Sequence, residues 1–137
     1  VRDPAADIRD GTAWYRARRA IERARELEKG DIPAVRTWCR IEEEGSAPLE
    51  ASINAHLVQR DQIITTMRWK TRQLLFGELE GLTQAEQAAR HGITQATVSS
   101  NLRRGGPAAV LEAMRLFDEG MRALESNRPA ASRLWDR

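Results

Sequence analysis

Apolar positions recur at helical spacing over most of this chain, and the breaks between them mark where helices end. Residues 1–11 are polar and include Pro4, so they read as a mobile lead-in. Asp10 or Thr12 can cap a helix that runs to about Lys29, with Gly30 as its stop. On that helix Trp14, Ala17, Ile21, Ala24 and Leu27 or Glu28 trace one face, while Arg16, Arg19, Arg23 and Glu26 decorate the other. This is the pattern of an amphipathic surface helix. From Val35 to Ile41 the period changes to two. Val35, Thr37, Cys39 and Ile41 alternate with Arg36, Trp38 and Arg40, which predicts one short strand. A solitary strand cannot satisfy its backbone groups alone. It pairs either with the same strand of a second subunit or with sheet neighbours upstream of Val1.

After a turn at residues 42–48, Leu49, Ile53, Leu57, Ile64 and Met67 return to helical spacing. A break is expected near Arg68-Trp69-Lys70, with Thr71 as cap of a shorter helix that holds Leu74, Leu75 and Leu79 and ends at Gly81. Pro107 suits a first helical position and opens a last helix to about Ser126. Along it Val110, Met114, Phe117, Met121 and Leu124 recur every three or four residues. The predicted organisation is an N-terminal helix plus strand over 1–46, a helical domain over 47–126 and a flexible tail over 127–137. The chain opens on Val1 rather than methionine, which points to the C-terminal part of a longer protein whose first domain survives only as a remnant.

Between Leu82 and Arg104 the pattern becomes specific. Thr83 followed three residues later by Glu86 is a capping box and starts a helix. Gly92 suits the tight turn that ends it, and Thr94 caps the next helix, whose Val98 and Leu102 face inward. Ala88 is small where two crossing helices must approach. Two short helices joined by a glycine turn form a helix-turn-helix unit, here predicted without a wing. The second helix would enter the major groove of duplex DNA, with Thr94 at its cap and Gln95, Ala96, Thr97, Ser99 and Ser100 along it. Thr83 and Gln84 can offer donors to a phosphate, and Arg103 and Arg104 can reach the backbone where the helix leaves the groove. No acid occurs from Ile93 to Arg104, as a phosphate-facing surface requires.

These residues carry a resemblance. Residues 69–111 resemble the helix-turn-helix shared by the fourth conserved region of bacterial sigma factors and LuxR-type regulators. The likeness rests on Thr71-Arg72-Gln73, Glu80-Gly81-Leu82-Thr83-Gln84 and Gly92-Ile93-Thr94-Gln95-Ala96-Thr97-Val98-Ser99. A longer stretch, from Asp10 to Phe117, is similar to SatD-like proteins, through Asp10-Gly11-Thr12-Ala13-Trp14, the alanine- and arginine-rich helix, the short strand and the same motif. The resemblance implies DNA binding rather than chemistry, and an N-terminal region that this chain lacks. Two positions depart from the motif's pattern: Gln87 and His91 stand where aliphatic residues normally pack the first helix against the preceding one. That implies a looser three-helix core or a site covered by another element.

Composition narrows the classes. With 137 residues, 41% hydrophobic and 31% charged, the chain suits one or two small domains. No apolar run approaches the roughly 20 residues of a membrane span, and no stretch of the sequence reads as a signal peptide. Cys39 is the only cysteine, which excludes an intrachain disulfide and suits a reducing cytosol. Two histidines and one cysteine give no metal-ligand spacing, and no cofactor is implied. The net charge of +2 is too small to argue from, so its distribution matters more. Between residues 68 and 104, Arg68, Lys70, Arg72, Arg90, Arg103 and Arg104 face Glu78, Glu80 and Glu86. No nucleophile–base pair, phosphate loop or carboxylate dyad suggests an enzyme. The expectation is a cytoplasmic, nucleoid-associated, homodimeric transcription regulator of bacterial type that binds duplex DNA. The alternative is an interaction module that docks on RNA polymerase or another partner complex.

Overall fold

A computed structural model describes residues 4–41 and 43–126, with the side chains of the first helix described from Ala13 onward. The chain is mainly helical: α1 (Pro4–Lys29), α2 (Ala47–Thr66), α3 (Trp69–Leu79), α4 (Gln84–His91), α5 (Gln95–Arg104) and α6 (Pro107–Ser126). No strand occurs among the described residues. Two compact units divide the chain, Val1–Thr66 and Met67–Arg137. The tail expected over 127–137 lies outside the described residues.

In the first unit α1 begins at Pro4, so the expected lead-in is helical from its fourth residue. Proline lacks only an N–H that a first helical position leaves unbonded anyway, and its fixed φ matches the helix. At the other end the N–H of Gly30 reaches Glu26 O and Leu27 O, and that of Ile32 reaches Leu27 O. Pro33 then bars continuation. The apolar face foreseen on α1 is covered only in part. Ala24 is buried, while Trp14 is 62% and Ile21 52% exposed.

The strand expected over Val35–Ile41 is not formed. Its backbone is satisfied by side chains of α2 instead of by a neighbouring strand. Asp61 Oδ2 accepts the N–H of Arg36 at 2.7 Å and of Thr37 at 2.8 Å. Asn54 accepts the Cys39 N–H at 2.8 Å and donates to the Cys39 carbonyl at 2.9 Å. Glu50 accepts the Ile41 N–H at 2.7 Å. Alternate donors 37, 39 and 41 thus meet acceptors 61, 54 and 50, in antiparallel order. The lengths agree, because four extended residues span about 13 Å and eleven helical ones about 16 Å. The same face of α2 buries Leu57 and Ile53, so α2 belongs with the first unit. Burial, and then the charge of Glu50, push the Cys39 thiol up, which keeps it from being a reactive thiolate.

The second unit is a cluster of four helices in which α5 packs on α3, α4 and α6. Leu74, Ala88, Val98 and Leu102 form its buried centre, with Ile93 against them. Leu75 and Val110 are also fully buried. The break before α3 falls where expected, but Thr71 is not its cap. Arg68 holds that position without a side-chain cap bond, and Thr71 lies inside the helix, buried, with its hydroxyl donating to Asn101 Oδ1 at 3.4 Å. Pro107, at the first position of α6, is buried as well.

Candidate nucleic-acid interface

Local chemistry sets the two helices that carry the candidate residues. Thr83 caps α4, accepting the Glu86 N–H, while the Glu86 carboxylate takes the Thr83 N–H at 2.7 Å. Bonds from the Thr83 hydroxyl and N–H hold the Glu86 carboxyl below its ordinary range. Gly92 ends α4 at φ 62° and ψ 36°, left-handed backbone that a side chain would strain. Thr94 then caps α5 by accepting the Thr97 N–H at 3.1 Å. With α4 of 8 and α5 of 10 residues, neither is long enough to stand alone in water. Their shared core at Ala88, Ile93, Val98 and Leu102 holds them.

Around α5, Val98 and Leu102 point inward, and the face turned away from them carries Ala96, Ser100 and Arg103 at i, i+4 and i+7. Gln95, Ala96, Thr97, Arg103 and Arg104 are exposed, whereas Ser99 and Ser100 are half-buried. The Thr94 and Thr97 hydroxyls lie 2.9 Å apart and bond each other. Thr83 is exposed and Gln84 half-buried at the start of α4. The ten candidate residues therefore fall into two groups, one at the N-terminus of α4 and one along α5.

Two structural roles escaped the sequence reading. Asn101 sits among the candidates but is tied inward, donating to Thr97 O at 2.9 Å and accepting from Thr71. Gly105 is what lets α3 come so close, since a Cβ there would lie 2.4 Å from Thr71 Cγ2. Neither contact has a local signal, because Thr71 and Asn101 are 30 residues apart.

Gln87, a polar residue on α4, is fully buried. Its amide donates to Glu78 Oε1 at 2.6 Å and to Leu82 O at 3.4 Å. Gly77 makes the room, because a Cβ there would meet Gln87 Cδ at 2.6 Å. The polar residue thus sits in a close-packed seam between α3 and α4. His91, at the end of α4, is half-buried.

The first unit holds an open groove of about 830 Å³ beside α2, lined among others by Trp38, Ile41, Ala55 and Val58. Three of its polar lining residues are already engaged. Arg40 pairs with Glu50 at 3.1 Å, and Glu50 and Asn54 bond the backbone of residues 39–41. Among the described residues no cluster of acidic, His or Cys side chains could hold a metal, and no helix is long and apolar enough to cross a membrane. Comparison with known protein families, characterised proteins and solved structures finds no match to this chain.

Proposed function

We propose that this chain binds duplex DNA sequence-specifically, with α4 and α5 acting as a wingless helix-turn-helix, as part of a bacterial-type transcription regulator. The observation that carries this reading is the outer surface of α5. A helix fixed by fully buried Val98 presents amide, hydroxyl and methyl groups, then two exposed arginines, and no carboxylate from Ile93 to Arg104. An ordinary solvated helix would mix both charge signs, whereas a surface that meets phosphate excludes acids. Gln95 can bond adenine through two atoms, and the methyls of Ala96 and Thr97 can meet a thymine methyl. Thr83 and Gln84 supply donors to a phosphate at the start of α4.

A gel shift with specific and random duplex over a range of salt tests the proposal. Gln95→Ala is expected to cost about 1–3 kcal/mol on the preferred site and to relax one base pair of discrimination. Arg103→Ala is expected to weaken all sequences alike and to flatten the salt slope by about one unit. Unchanged binding in both variants would remove α5 as the reading helix.

A homodimer fits the same reading, because one helix reads few base pairs and two copies match a two-fold operator. On α6, Met114, Phe117 and Met121 are only half-buried, while Leu116 and Leu124 are exposed. Sedimentation at micromolar concentration is expected to give the mass of two chains. A monomer there would instead favour the second reading, in which this apolar face docks on a protein partner such as RNA polymerase.

A further inference from the structure

Charge is segregated within the Met67–Arg137 unit. No Asp or Glu occurs from Met67 to Gly77, nor from Gln87 to Leu111. These two stretches meet in space. Thr71 in the first turn of α3 bonds Asn101, and it lies against Gly105 at the end of α5. That contact brings the first turn of α3, where Arg68 and Lys70 stand in sequence, against the end of α5, which carries Arg103 and Arg104.

The acids between the two stretches are already engaged. Glu78 accepts the Gln87 amide, Glu80 pairs with Arg90 at 2.8 Å, and Glu86 closes the Thr83 cap. Elsewhere in the unit Arg115 is held by Glu112 and Glu119. By contrast, Arg68, Lys70, Arg103 and Arg104 are all exposed. None of the four forms an ion pair among the described residues. Four like charges gathered without counter-charges raise a positive potential that an anionic partner relieves. The cap position of α3 adds to it, for Arg68 offers no side-chain acceptor to that helix's first N–H groups, which remain suited to an anion.

We propose that Arg68 and Lys70 form one phosphate-contacting strip with Arg103 and Arg104, so that the first turn of α3 grips the DNA backbone where α5 leaves the groove. This rests on the DNA-binding reading of α5 and extends it to a helix outside the motif. Duplex DNA is the occupant because the two acid-free stretches, 67–77 and 87–111, meet at the contact of α3 with the end of α5, the helix proposed to read the groove. Its contacts carry no base information, so they add affinity and fix orientation rather than choose sequence.

The test is Arg68→Gln/Lys70→Gln in the full chain, since glutamine keeps length and helix propensity. Unchanged circular dichroism verifies the fold. Titration of a random-sequence duplex at several salt concentrations is expected to show the slope of log K against log salt reduced by about 1.8, that is 0.9 for each of two phosphates. Affinity is expected to fall roughly tenfold at moderate salt, equally on every sequence. Arg122→Gln, a charge removed from exposed α6, is expected to leave the slope unchanged. A wild-type chain that binds DNA with a slope untouched by the double variant overturns the strip and leaves the α5 reading standing. A slope change no larger per charge than that of Arg122→Gln overturns it too. Failure of the wild-type chain to bind any duplex overturns both readings together.

Discussion

Val98→Asp is expected to unfold the Met67–Arg137 unit rather than to impair one contact. Val98 has no exposed surface, and it sits with Leu74, Ala88 and Leu102 where three helices meet. Burying its side chain contributes about 1.5–3 kcal/mol, which the substitution forfeits. It also places a carboxylate among aliphatic groups that offer no donor, at a further cost of several kcal/mol. The total, about 5 kcal/mol or more, rivals the whole stability of a small domain. Because α4 and α5 are too short to persist without that core, they are expected to melt with it. Circular dichroism should lose the signal of α3 to α6, and the proposed DNA binding should vanish on every sequence. Two milder variants separate the causes. Val98→Ala leaves a cavity but no charge, for about 2 kcal/mol. Val98→Thr nearly keeps the shape, and its hydroxyl can turn back to the carbonyl four residues earlier, for about 1–2 kcal/mol. If the Val98→Asp chain kept its helical signal and a cooperative melt, this packing would not be what holds the motif.

Features governed by near neighbours were the ones legible in the sequence. The Thr83–Glu86 box, the left-handed turn at Gly92 and the Thr94 cap each depend on residues within four positions, and each forms as its spacing requires. The inward placement of Val98 and Leu102 follows from helical period alone. What failed depends on distance. Thr71 has the chemistry of a cap, yet it lies inside the helix and its hydroxyl bonds a residue 30 positions away. The alternation of residues 35–41 does reflect an extended chain, but which partner satisfies it is not written locally. On α2, Glu50, Asn54 and Asp61 fall on the same stripe as Leu57, at i, i+4, i+11 and i+7. Polar residues on a buried stripe are the signal that a backbone needs them, and weighting that stripe over the alternation would have found the partner. Part of the candidate surface shows the same limit. The acid-free run on α5 is visible in one stretch of sequence, whereas the contact of α3 with it, on which the proposed strip rests, appears only once Thr71 touches Asn101 and Gly105.

Asp61→Ala is expected to release residues 36–41 from α2 and to cost the first unit about 3–5 kcal/mol, the range for removing one partner of a buried charge pair. One oxygen of this carboxylate, 6% exposed, accepts two backbone N–H groups, and the other takes Arg60 Nε at 3.2 Å and Nη2 at 2.8 Å. Arg60 Nη2 in turn donates to the Thr37 hydroxyl at 2.7 Å. Alanine therefore leaves two N–H donors without their acceptor and a largely covered guanidinium without its counter-charge. Nor can the extended segment recover by pairing with a strand, because none exists among the described residues. Asp61→Asn discriminates between charge and acceptor. Its carbonyl oxygen can still serve both N–H groups, but its NH2 meets the Arg60 guanidinium, so about half the loss is expected. Denaturant melts of the two variants, read together with amide hydrogen exchange at Arg36, Thr37 and Cys39, check this. Faster exchange at all three in the alanine variant, with Cys39 still protected in the asparagine one, is the expected pattern. If both variants melt and exchange like the parent chain, the side-chain ladder is not what anchors this segment, and α2 holds it through Ile53 and Leu57 alone.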